Sequence, residues 1–266
     1  MIPLKDENPT RGRPLVTLVL IAACVAVYFL IQPGGQQLLG RTAANQGADL
    51  EFTLRNAAIP CEVVHDRPLS ETEVVDTFRN GQQTACESRP ATPPVFPHKN
   101  VYLAILVSMF LHGSVLHIGG NMLYLWIFGN NIEDAFGKVG YVVFYLVGGF
   151  VATLAHILVQ PSSTVPVVGA SGAIAAVMGA YLVLFPRVRI RTLFLLFFVI
   201  FFRSVEARWL LIFWLALQFF TNPNEGVAWV AHVGGFLFGA AVAAVYRAVK
   251  GPGGAAPVVA YDPYRY

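Results

Sequence analysis

The chain has 266 residues, of which 56% are hydrophobic and only 12% charged. A soluble domain carries about twice that charged share, so an ordinary water-soluble globule is excluded, and the apolar residues gather in blocks of bilayer length. The net charge of +3 includes no run of Lys or Arg that would suit a nucleic acid.

Residues 1–14 are polar and carry Lys5, Arg11 and Arg13. The run 15–31 (LVTLVLIAACVAVYFLI) is slightly long for a signal-peptide core and is followed by more apolar segments, so it reads as a first spanning helix containing Cys24. Residues 32–98 form one long hydrophilic loop with eight acids and five Arg, ending in a proline-rich stretch. Little regular packing is expected there beyond one short helix near 70–80. Cys61 and Cys86 lie in this loop; they could form a disulfide in an oxidising compartment or remain free thiols. The loop's length suggests a partner-binding or substrate-screening role.

Residues 100–128 are apolar but interrupted at 112–114, which predicts an irregular lead-in and a second span over about 115–130. A third span is expected at 139–159 and a fourth at 167–185, ended by Pro186. Residues 190–202 are apolar and aromatic but bracketed by Arg187, Arg189, Arg191, Arg203 and Arg208. Thirteen helical residues rise only about 20 Å, short of a bilayer core, so an interfacial helix is expected here. A fifth span is expected at 206–220 and a sixth at 227–248, with a Gly/Pro-rich, disordered tail at 251–266. The reading is an all-α polytopic membrane domain over 15–250. Its basic residues concentrate on the side of both termini, which places the termini in the cytoplasm and the 32–98 loop outside.

Ionisable and polar groups inside spans cost free energy and so mark candidate sites. Ser171 sits among Gly169, Ala170 and Gly172 near the start of the fourth span. Such a serine equally suits close helix packing, and the segment is not the G-x-S-x-G elbow of a hydrolase sheet. His232 lies about five residues into the sixth span, with Gly235 and Gly239 on its face. Those glycines would admit a neighbouring helix, and a hydroxyl within reach of the imidazole would be activated as a nucleophile. His117 and Asn121 share a face of the second helix and could donate hydrogen bonds to an oxyanion or satisfy each other; His112 precedes them. His156 reads as a structural or interfacial histidine. No Asp or Glu lies within a span beside these groups, so the site is read as a Ser–His dyad with the imidazole oriented by packing. HExxH and paired CxxC patterns are absent from the sequence, and no metal is expected.

Residues 112–121 (HGSVLHIGGN), 169–172 (GASG) and 231–239 (AHVGGFLFG), in that order, resemble the rhomboid family of intramembrane serine proteases. The turn GNNIEDAFG at 129–137 is similar to bacterial members. The resemblance covers about residues 100–248 and implies a six-transmembrane-helix bundle. It also implies Ser171 as nucleophile, His232 as general base, His117, Asn121 and the Ser171 N–H at the oxyanion with His112 beside it, and Gly235 and Gly239 packing the sixth helix on the fourth. It implies transmembrane protein substrates cut near the outer end of their spans, no cofactor, and a plasma (bacterial inner) membrane location. Some members carry Tyr four residues after the nucleophile, where this chain has Ala175, and TrpArg where it has Leu103 and Ala104. The resemblance therefore leaves the group that orients His232 unnamed. Two other readings remain: a catalytically inert rhomboid-like binding or quality-control factor, and a transporter whose polar groups line a pathway.

Overall fold

The computed structural model describes residues 1–38, 46–196, 199–221 and 228–250. The tail from 251 and the link at 222–227 lie outside the described residues. Strand β1 (Ile2–Asp6) precedes helix α1 (Leu15–Ala26), which ends in a wider helical turn over Val27–Ile31. Then come the short helices α2 (Pro33–Leu38), α3 (Gln46–Asn56), α4 (Pro60–His65), α5 (Glu71–Phe78) and α6 (Leu103–Ser108). Helices α7 (Val115–Val159) and α8 (Ser171–Leu184), strands β2 (Arg189–Leu196) and β3 (Val199–Glu206), and helices α9 (Ala207–Gln218) and α10 (Trp229–Lys250) complete the order.

Two of these helices, Val115–Val159 and Trp229–Lys250, are long and apolar enough to cross a membrane, and three shorter apolar helices accompany them. Helix α7 is not one rod. Straight, its 45 residues would reach about 68 Å, yet His117 and His156, near its two ends, line the same cavity. The chain reverses at Gly137, whose φ of 73° is open to glycine and strained for other residues. Glu133, just before the reversal, accepts from the N–H groups of Val16 and Thr17 and from the Thr17 hydroxyl, at 2.8–3.0 Å. A carboxylate thus caps the N-terminus of α1, where the helix dipole favours negative charge.

Helix α8 is the centre of the bundle. Ala173 through Tyr181 are all buried, held between α7 and α10. Small residues allow this. Gly179 faces the Phe236 carbonyl so closely that an added Cβ would lie 2.0 Å from its oxygen.

The 32–98 loop is not the loosely packed segment expected from its polarity. Leu54, Ile59, Cys61 and Leu69 form a small core of their own. Cys61 and Cys86 are joined by a disulfide. Ser70 and Glu73 form a reciprocal capping box at α5, which explains the one helix legible from sequence. Lys99 and Glu62 make a buried ion pair at 2.5 Å, and Lys99 also donates to the Leu54 carbonyl at 2.6 Å. A crosslink and satisfied buried charges compensate for the scarcity of apolar residues. Removing the disulfide with Cys61→Ser is expected to cost this compact loop, the cap, about 2–4 kcal/mol. Limited proteolysis within 46–98 should then accelerate, as it should for the wild type under reductant; unchanged cleavage would reject the disulfide's role.

Burial would raise the Glu73 carboxyl, but Arg67 at 2.7–2.8 Å and the N–H groups of Ser70 and Glu87 outweigh it and hold the pKa at about 2. A carboxyl depressed on folding contributes stability that is fully present above its ordinary value of 4.5 and is lost as pH falls toward about 2. The cap is therefore expected to loosen by roughly 2–3 kcal/mol on acidification across that window. Amide hydrogen exchange of α5 at pH 3 against pH 6 measures it, and Arg67→Met should shrink the difference.

The expected interfacial helix at 190–202 is a β-hairpin instead. Strands β2 and β3 pair antiparallel from Arg189↔Glu206 to Leu196↔Val199, and β1 adds to the other edge of β2 through Ile2↔Leu193 and Asp6↔Ile190. The composition explains the correction. The segment is rich in Phe, Val and Ile, which fit a pleated surface, and Phe194 stacks on Phe201 across the pair at 5.2 Å. The strand partner comes from the first six residues, a pairing that no local periodicity reveals. The domain is therefore mostly helical, as expected, with one small three-stranded sheet that an all-α reading omits.

Candidate active site

Ser171 is the first residue of α8, deeper into the turn than a span over 167–185 implies. Residues 163–169 approach it as an irregular segment pinned on both sides. Val167 donates to the Ala58 carbonyl at 2.8 Å, Cys61 donates to the Ser163 carbonyl at 3.0 Å, and Gly169 donates to the Ser108 carbonyl at 2.9 Å. The Ser108 hydroxyl in turn accepts from the Ala58 N–H at 2.6 Å. The disulfide-linked cap and α6 thus hold the segment that delivers Ser171.

The Ser171 hydroxyl lies 2.8 Å from Nε2 of His232 on α10. The approach of α8 and α10 depends on glycine. An added Cβ at Gly235 would meet the Gly172 carbonyl oxygen at 2.2 Å, and one at Gly239 the Ala176 oxygen at 1.8 Å. One at Gly172 would meet the Cβ of Ala152 on α7 at 2.7 Å. Both Ser171 and His232 are half-buried and border a cavity of about 570 Å³.

The second-helix residues meet the same cavity. Gly169 has a φ of 120°, and an added Cβ there would lie 2.8 Å from Nε2 of His117 and 3.5 Å from Nδ2 of Asn121. Ser114 caps α7 by accepting from the His117 N–H at 3.1 Å. The Gly113 N–H donates to Nδ1 of His117 at 3.4 Å, which assigns the proton of a neutral ring to Nε2, on the side of Gly169. Nδ2 of Asn121 is buried without a partner among the described residues. His112 is buried, held through its backbone by Gln32 at 2.9 and 3.1 Å, and its ring meets that of His117 edge-on at 5.2 Å. His156, read from sequence as structural or interfacial, also borders the cavity.

Two residues went unnoticed in the sequence. Gln218, at the end of α9, has Oε1 2.7 Å from Nδ1 of His232. Trp214, one turn earlier, has its ring centroid 5.8 Å from that imidazole and stacks on Phe236. Trp214 supplies the aromatic neighbour that position 175, a buried Ala, does not. A lone Gln and a Trp in an apolar helix carry no sequence signature; only their four-residue spacing, which puts them on one face, could have hinted at it.

These features define a class: a helical membrane protein with a serine–histidine pair at the edge of a cavity among its helices. A rhomboid domain model matches residues 99–249, and the chain belongs to the rhomboid family. It is 32% identical over 143 residues to the presenilin-associated rhomboid-like protein, mitochondrial, of Bos taurus, covering 51% of this chain and 36% of that one. It is 34% identical over 159 residues to the RHOMBOID-like protein 12, mitochondrial, of Arabidopsis thaliana, covering 53% and 44%. With Rhomboid protein 1, mitochondrial, of Saccharomyces cerevisiae it shares 32% identity over 92 residues, 33% and 27% of the two chains. The matches thus span less than half the length of these relatives. All three are mitochondrial by name, which corrects the expectation of a bacterial inner membrane with cytoplasmic termini. Charge bias reports which side of a bilayer a segment takes, and carries no information on which membrane that is.

Proposed function

We propose that this chain is an intramembrane serine endopeptidase that hydrolyses peptide bonds in or near transmembrane segments of other membrane proteins. The observation that carries the reading is the 2.8 Å contact between Ser171 Oγ and His232 Nε2, hydroxyl and base within one hydrogen bond at the edge of a cavity. Membership of the rhomboid family supports it. Six spans are proposed: α1 with its terminal turn, the two arms of α7, α8, α9 and α10. Both termini would then share one face, opposite the cap.

In this mechanism Ser171 Oγ attacks the scissile carbonyl while His232 Nε2 accepts the hydroxyl proton. Negative charge develops on the carbonyl oxygen. Asn121 Nδ2 is a buried donor without a partner among the described residues, the half-buried His117 borders the cavity with its proton on Nε2, and the first N–H groups of α8 lack acceptors within their own helix. Together they suit the oxyanion, with His112 held behind His117. The imidazolium then protonates the leaving amine. Water admitted through the cavity, deprotonated by His232, hydrolyses the acyl-enzyme. Side chains, backbone N–H groups and water suffice for every step, and no cofactor is invoked.

The test is a fluorophosphonate probe together with mass spectrometry of peptides released from membranes. Covalent labelling of Ser171 and a set of released peptides are expected, both absent in Ser171→Ala. A wild-type protein that neither labels nor releases peptides would transfer the reading to an inert binding factor.

A further inference from the structure

We infer that Gln218 is the positioning residue of this site, using its side-chain carbonyl to fix the ring and tautomer of His232. The inference rests on the peptidase reading for its consequence, but not for its geometry.

A Ser–His pair needs a base whose lone pair, rather than its N–H, faces the hydroxyl. A free neutral imidazole places its proton on either nitrogen. In many such sites a carboxylate on the far nitrogen decides the matter. The His232 ring meets Gln218, Ser171 and Trp214, none of them an acid. A carboxylate buried among apolar helices would be costly to keep ionised.

The amide of Gln218 does the same work without charge. Its Nε2 donates to the Trp214 carbonyl, one helical turn back, at 3.1 Å. A carbonyl only accepts, so this bond fixes which end of the amide is which and leaves Oε1 toward His232. Oε1 also only accepts, so at 2.7 Å it requires the proton on Nδ1. The Nε2 lone pair is then left for the Ser171 hydroxyl at 2.8 Å. Three hydrogen bonds donate in one direction, from the Ser171 hydroxyl through His232 and Gln218 to the Trp214 carbonyl of the α9 backbone. The opposite tautomer would set two lone pairs against each other in a buried contact and point an N–H at Ser171. Gln218 is itself buried, 8% exposed, so bulk water does not replace the bond. Trp214 bounds the ring beside it, so the two residues that restrain the imidazole come from one face of α9.

The test compares the wild type with Gln218→Met, which keeps the length and loses the acceptor, and Gln218→Glu, which keeps an acceptor oxygen. Nitrogen-15 chemical shifts of the His232 ring report the tautomer whether or not the protein cleaves anything. The Nδ1–H form is expected to dominate in the wild type and Gln218→Glu and to give way to a mixture in Gln218→Met. Cleavage of a transmembrane peptide in proteoliposomes should show kcat lowered about 10- to 100-fold in Gln218→Met with KM unchanged, and partly restored in Gln218→Glu. A dominant Nε2–H form in the wild type would overturn the inference even if Gln218→Met failed to fold. So would a Gln218→Met protein with wild-type kcat and tautomer. An inactive wild type with the expected tautomer would instead sink the peptidase reading and leave the role of Gln218 standing.

Discussion

His232→Ala is expected to lower the rate of transmembrane-peptide cleavage by about 10⁴- to 10⁶-fold, close to the effect of Ser171→Ala itself. The two act as a unit. Without Nε2 at 2.8 Å, the hydroxyl keeps its proton, and a serine hydroxyl at its ordinary pKa is a poor nucleophile. The loss is therefore not a sum of two partial effects, and the double variant should be no slower than either single one. The fold should survive. His232 is half-buried and borders an existing cavity, so truncation enlarges a space that is already open. Initial rates in proteoliposomes, with thermal unfolding as the control for folding, measure this. A His232→Ala protein within tenfold of the wild type would mean that some other group serves as base.

The largest structural effect is expected at Gly239. In Gly239→Ala the single added carbon would sit 1.8 Å from the Ala176 carbonyl oxygen. That neighbour is backbone of a helix buried on both sides, not the end of a flexible side chain, so the helices themselves must separate. The contact is reciprocal, because Gly179 meets the Phe236 carbonyl in the same way. Loss of about 3 kcal/mol or more of stability is expected, at the top of the overpacking range. Activity should fall further than stability alone explains. Helix α8 carries Ser171 and α10 carries His232, and a displacement of about 1 Å between reacting groups can cost about 10²-fold. Gly119→Ala is the matched control: no atom stands within 4 Å of its added carbon, and stability should stay the same or rise slightly as helix propensity improves. Equal melting temperatures for Gly239→Ala and the wild type would show that the helices do not pack this closely in the bilayer.

The candidate site residues His232, His117 and Asn121 were visible because polar groups inside apolar blocks are rare and expensive, and the glycines beside His232 mark a helix face that a neighbour can approach. Ser171, among small residues, suited helix packing equally well and became a candidate nucleophile through the family resemblance. What orients His232 was not legible. No Asp or Glu lies within a span beside the site, which leaves packing as the only orienting influence visible in the sequence. Gln218 does it with a neutral amide whose direction depends on the Trp214 carbonyl. His156 was set apart from the site, although the reversal at Gly137 brings it to the cavity wall.

The sequence by itself determined the membrane class, the apolar helices and the residues able to do chemistry, because bilayer burial and helical periodicity are local properties of a chain. Only the tertiary structure decided the rest. The Arg-bracketed segment became a hairpin because β1, more than 180 residues earlier, supplies its edge partner. The polar loop became a cap because Cys61 finds Cys86 and Lys99 finds Glu62 in a core too small to form from apolar residues alone. The imidazole gained its direction because α9 and α10 meet where Gln218 faces Nδ1. In each case the deciding partner lies far along the chain or carries no periodic signal, so the energy that selects the structure exists only once the chain has folded.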